Sequence, residues 1–219
     1  MSSAGSELAT ILSALVGAVV ALRRSRRAQR TITKLDALAL RKPMNKVSVV
    51  LLGGMLGVLT YRQFGFSLEL FAFALMIAMC IEQSIIDYTT HRLPRGVSFR
   101  AAIVGGPLLA LAAINHDDNG RIGVMFASFI VTLVLFATLS VLSKGGIGGG
   151  DVRLAPVLAM FLGWRGASHV YIGLGIGFIL GGVVATGMLV ARRASTSTRI
   201  AFGPFLCIGA VIAVFGLPS

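Results

Sequence analysis

Acidic residues are scarce in this sequence. Eight Asp or Glu stand against 20 Lys or Arg, and charged residues of both signs fill 13% of the 219 positions, where a soluble domain averages about 25%. With 56% hydrophobic residues and apolar runs long enough to cross a hydrocarbon layer of ~30 Å, a soluble fold is excluded. Cysteine is scarcer still. Cys80 and Cys207 each sit among apolar residues, form no paired zinc pattern, and read as reduced, buried thiols. The three histidines are scattered, with His91 expected on one side of a membrane and His116 and His169 on the other, so they do not gather around a metal. Serine-histidine chemistry, internal repeats and low-complexity tails are also missing, and neither metal nor cofactor is expected. The net charge of +12 does not mark a nucleic-acid binder, because the basic residues occupy short loops without the aromatic interleaving of a binding platform.

What is present is a series of apolar runs. The first, Leu8 to Leu22, is followed by Arg23, Arg24, Arg26, Arg27 and Arg30. Signal peptides carry their positive charge before the apolar core, so this order predicts a retained anchor with its N-terminus outside. Residues 23 to 46 hold nine Lys or Arg and the single acid Asp36; they read as a solvated basic loop touching anionic lipid heads. Further runs follow at Val47 to Tyr61, Phe66 to Ile86, Val97 to Ile114, Ile122 to Leu142, Asp151 to Trp164, His169 to Val190 and Ile200 to Leu217. The fold class is therefore all-α, a polytopic transmembrane bundle of about eight segments. Residues 1–46 form an anchor helix and basic loop, and 47–219 a membrane-embedded core. The run from Asp151 is short, as for a tilted or partly inserted helix.

Positive charge orients the layout. Counted over alternate loops, 17 Lys or Arg fall on one side and only Arg62, Arg121 and Arg165 on the other, which makes the first side cytoplasmic. Both chain ends then lie outside, and Asp87 and Asp151 share the cytoplasmic face. Gly173, Gly177 and Gly181, like Gly53 and Gly57, recur every fourth residue, spacing that lets helix backbones approach. Trp164 and Tyr171 are expected in an aromatic belt at the outer interface.

The few acids can be taken singly. Glu7, Asp36, Asp117 and Asp118 fall in aqueous segments, and Glu69 starts a helix whose dipole tolerates a negative charge. Glu82, Asp87 and Asp151 remain, and an acid in a membrane segment is costly enough to imply a task. Glu82 is turned from Asp87 by about 140° on the same helix, so it salt-bridges, stays protonated or tunes the site. Asp87 and Asp151 end and begin apolar segments on one face, each followed by basic residues: Arg92 and Arg95, and Arg153. Two carboxylates brought together share a proton, one activating water while the other polarises a carbonyl, which is the logic of an aspartic protease. Gly148 and Gly150 would free the approach to Asp151 for an extended substrate backbone.

These residues carry a resemblance. Gly148-Gly149-Gly150-Asp151 has the G-x-G-D form, Asp87 is followed seven residues later by Pro94, and Phe202-Gly203-Pro204-Phe205 is similar to a final-helix pattern; together they resemble the prepilin peptidases of type IV pilus and type II secretion systems over roughly residues 47 to 217. The resemblance implies a multi-pass protein of the bacterial inner membrane. Asp87 and Asp151 would be its catalytic pair, Gly148 and Gly150 its loop glycines, and Pro94 the stop after the first motif; Glu82 and Arg153, outside that carry-over, are candidate tuning residues. The implied substrates are prepilin-like proteins, cut at the cytoplasmic face between a basic leader and a hydrophobic helix. Arg95 replaces a common asparagine and Arg153 a usual lysine. Many members also carry a paired-cysteine zinc insert linked to N-methylation; only the basic loop 23–46 stands there, so peptidase chemistry alone is expected. Two rival readings of intramembrane acids are an ion- or proton-coupled transporter and a non-catalytic assembly factor.

Overall fold

The computed structural model describes residues 3–35, 45–91, 93–143, 148–191 and 201–218, and all its regular structure among them is α-helical. In chain order the helices are α1 (Ser3–Leu35), α2 (Lys46–Phe64), α3 (Leu68–Thr90), α4 (Arg95–Asn115), α5 (Gly120–Leu142), α6 (Asp151–Arg165), α7 (Ala167–Val190) and α8 (Gly203–Gly216). Six of them, α1 to α5 and α7, are long and apolar enough to cross a membrane, while α8 is apolar but shorter. A polytopic helical bundle is the result.

The first helix departs from the hydropathy pattern. It continues through Arg23, Arg24, Arg26, Arg27 and Arg30 to Leu35, so residues 23–35 are helix rather than loop. Arginine is among the better helix formers, and a drop in hydropathy marks the end of apolar character without marking the end of the helix. Residues 36–44, the rest of that expected loop, lie outside the described residues, as do Arg92, Lys144 to Ile147 and residues 192–200.

Two glycine seams bind neighbouring helices. A Cβ on Gly57 would stand 2.5 Å from the Ser13 carbonyl oxygen, and one on Gly53 would stand 2.7 Å from that of Gly17, so α1 and α2 meet backbone to backbone. A Cβ on Gly177 would lie 2.9 Å from the Leu206 Cα, which closes α7 on α8 in the same way. The every-fourth-residue glycines thus pack as expected, against partners that include Gly17 and Gly209.

At the centre, α3 packs against α1, α2, α4, α6 and α8. The short α6 lies between α4, α5, α7 and α8, and everything in it from Leu154 to Trp164 is buried. A helix that is apolar all round is a core helix, which accounts for its burial among four neighbours. Trp164 is accordingly not a belt residue. It is buried, donates from Nε1 to the Leu109 carbonyl at 3.0 Å, and meets Phe73 edge-on at 6.1 Å. Tyr171 is exposed. Glu69, too, is more than dipole-tolerated: it is buried and paired with His116 at 2.6 Å.

Candidate active site

The end of α3 builds the first half of the site. Asp87 occupies its last turn, and the helix stops at His91, whose φ of 50° and ψ of 34° are left-handed. Such a residue is an αL cap; its N–H still donates to the Asp87 carbonyl at 2.9 Å while the chain turns back. Pro94, with φ −66°, is the N-cap of α4. Between cap and proline, Leu93 is directed into the bundle.

Asp151 is the first residue of α6, and its N–H donates to the Gly148 carbonyl at 2.9 Å. Its carboxylate folds back over that turn, since a Cβ on Gly148 would be 3.1 Å from Oδ2. The start of a helix favours negative charge. Oδ1 is buried without a hydrogen-bond partner among the described residues.

A third helix completes the arrangement. The Gly203 N–H at the start of α8 donates to Asp87 Oδ2 at 3.0 Å, a bond to a carboxylate from a helix N-terminus. Leu93 then joins the parts: its side chain would stand 2.6 Å from a Cβ on Gly150 and 3.2 Å from one on Gly203. One leucine is therefore packed against the residue before Asp151 and the residue that binds Asp87. The two carboxylates are 4% and 7% exposed and close enough to act on each other electrostatically.

Of the other sequence candidates, Glu82 does not join this cluster. It is 1% exposed and held by Arg24 of α1 at 2.8 Å, the salt-bridged option among its three readings, and five residues of helix turn it away from Asp87. Arg153 is exposed, two residues and about 200° round α6 from buried Asp151. Arg95 is exposed.

Three further residues shape the site, and two of them have no hydropathy signature. Leu93 is an ordinary apolar residue in a connection, and Gly203 acts through its main chain. Gln83, fully buried one turn before Asp87, donates from Nε2 to Ser98 Oγ at 2.7 Å and to the Pro94 carbonyl at 3.4 Å. Because that carbonyl only accepts, the amide orientation is fixed. Gln83 thus ties the start of α4 to α3. An uncharged polar residue four positions before an acid in an apolar helix was the signal for it.

A membrane-type helical bundle that buries two aspartates from different helices at one end defines the class of this protein. The chain belongs to the type IV leader peptidase family, whose model matches residues 70–191. It is 29% identical over 185 residues to the prepilin leader peptidase/N-methyltransferase of Pseudomonas aeruginosa, covering 81% of this chain and 59% of that one. The protein of the same description from Bacillus subtilis is 29% identical over 154 residues (69% and 58%), and that from Escherichia coli 28% over 148 (64% and 61%). The chain thus spans about three fifths of the length of these curated relatives. No solved structure matches it.

Proposed function

We propose that this protein is a membrane aspartic endopeptidase that removes the basic leader from prepilin-like proteins, with Asp87 and Asp151 as the catalytic pair. The observation that carries the reading is the convergence of the two acids: Asp87 in the last turn of α3 and Asp151 at the start of α6, 64 positions apart in sequence, are both buried, and Leu93 packs against both Gly150, next to Asp151, and Gly203, which binds Asp87. Family membership and the printed description of the relatives supply the substrate class.

In the proposed reaction the pair holds one proton between two carboxylates, because both cannot ionise cheaply at close range. The ionised member takes a proton from water, whose oxygen attacks the scissile carbonyl, while the protonated member donates a hydrogen bond to the carbonyl oxygen. The Gly203 N–H holds one oxygen of Asp87 and favours its charged form, which makes Asp87 the member that takes the proton from water and Asp151, whose Oδ1 has no hydrogen-bond partner among the described residues, the protonated member. Collapse of the tetrahedral intermediate moves a proton to the leaving amine. Residues 47–219 are the catalytic core and 1–46 its anchor. The site faces the cytoplasm across the inner membrane, a placement supported by the bias of Lys and Arg toward that side. Methyl transfer, the other half of the relatives' printed description, is not included.

The test is co-expression with a prepilin. Asp87→Asn and Asp151→Asn are each expected to lower leader removal by at least about a hundredfold, with the protein still folded in the membrane. Undiminished cleavage in either variant refutes the pair.

A further inference from the structure

On the side of α3 away from the acids, a cavity of ≈ 440 Å³ opens between α1, α2 and α3. Its walls include Leu12, Val16 and Val20 of α1 and Leu70, Ala74 and Ile81 of α3. Because these helices have the length and composition of membrane spans, the neighbouring medium is hydrocarbon. An apolar opening there takes an apolar chain.

The polarity of one end narrows the occupant. Continued in steps of three or four residues, the lining stripe of α1 passes from Leu12, Val16 and Val20 to Arg24 and Arg27. Arg24 is paired with Glu82; Arg27 is exposed. The antiparallel seam that sets Gly57 on Ser13 and Gly53 on Gly17 brings Lys46, seven residues before Gly53, level with that same turn of α1. Lys46 is also exposed. Among the described residues, Arg27 and Lys46 therefore stand about 9–10 Å of helix rise beyond the lined end of the cavity, past the neutralised Arg24, and long basic side chains reach along a membrane interface readily.

We propose that this cavity binds an anionic phospholipid, with an acyl chain along α1 and α3 and the phosphate between Arg27 and Lys46. A substrate helix is the other apolar occupant to weigh. The geometry is against it, because Asp87 lies about 110° round α3 from the lining stripe and is bonded to α8 on the far side. The lipid site stands independently of the peptidase reading.

Native mass spectrometry of the full chain in mild detergent tests it, with phosphatidylglycerol and phosphatidylcholine added at equal concentration. The expected result is a one-to-one complex that favours phosphatidylglycerol. Arg27→Gln with Lys46→Gln should weaken retention about 30-fold, whereas exchanging the two basic types at both positions should preserve it. Ala74→Phe should block the cavity; Ala74 is exposed, so the larger ring need not disturb the core, and Leu12→Trp makes the same block from α1. Equal retention of both lipids overturns the proposal, as does phosphatidylglycerol binding unaffected by the charge variant or by both blocking variants. Blocking variants that stop leader removal yet leave lipid retention intact would assign the cavity to substrate instead.

Discussion

Replacing Gly150 by alanine tests the packing that couples the two acids. The backbone itself does not require glycine, since φ −74° and ψ −45° are ordinary helical angles. Space is the constraint. The new Cβ would lie 2.6 Å from Leu93 Cβ and 2.8 Å from its Cδ1, against a carbon–carbon optimum of about 3.5–4.0 Å. The Cδ1 contact is relieved by rotation, but the Cβ contact is not, so the start of α6 or the 91–94 connection must move by about 1 Å. Overpacking of this kind costs about 1–3 kcal/mol in stability, and a 1 Å misplacement of a catalytic group costs about a hundredfold in rate. Single-turnover cleavage of a detergent-solubilised prepilin is the assay. Leu93→Ala keeps the offending Cβ and should not rescue Gly150→Ala. In a Leu93→Gly background, however, the same Gly150→Ala change should cost less than about threefold, giving a strong coupling in a double-mutant cycle. An equal cost of Gly150→Ala in the wild-type and Leu93→Gly backgrounds would refute the reasoning.

Three further outcomes are expected. Arg24→Gln leaves Glu82 buried without its cation and should lower thermal stability in detergent by about 3 kcal/mol; adding Glu82→Gln should restore a large part of that loss. Gln83→Leu removes the amide that holds Ser98 and Pro94, costing about 1–3 kcal/mol, and should reduce the rate of leader removal more than its KM. His116→Ala strips the partner from Glu69 and should lower the melting temperature while leaving cleavage intact, because Glu69 stands 18 residues, or about 27 Å of helix rise, from Asp87.

Much of the bundle was legible as hydropathy. The runs predicted at Val97 to Ile114 and His169 to Val190 became Arg95–Asn115 and Ala167–Val190, because apolar length in a membrane protein is set by bilayer thickness. The errors lie where helix and apolar run part company. Arginines extended α1 past its apolar stretch. At the other boundary, α3 runs to Thr90 rather than Ile86, ending at a left-handed His91 that hydropathy does not register, and this puts Asp87 inside the last turn. The two acids could be singled out because carboxylates are rare in this chain and each has a motif. Their packing was not readable: Gly203 and Asp87 are 116 residues apart and meet through a main-chain donor, and Leu93 acts by shape. Even the glycine before Asp151, expected to leave room for substrate, is filled against by a leucine of the chain itself.

The two short helices have a consequence for the surrounding bilayer. Both α6, with 15 residues, and α8, with 14, begin at the acid pair, and they rise only about 21–22 Å where α3 rises about 34 Å. Because Asp87 is three residues from the end of α3, that shortfall falls at the opposite end, where Trp164 near the close of α6 meets Phe73, five residues into α3. The acids therefore stand within about 5 Å of the end of a full-length helix. A segment reaching them from that side has about one helical turn to cross rather than half a bilayer.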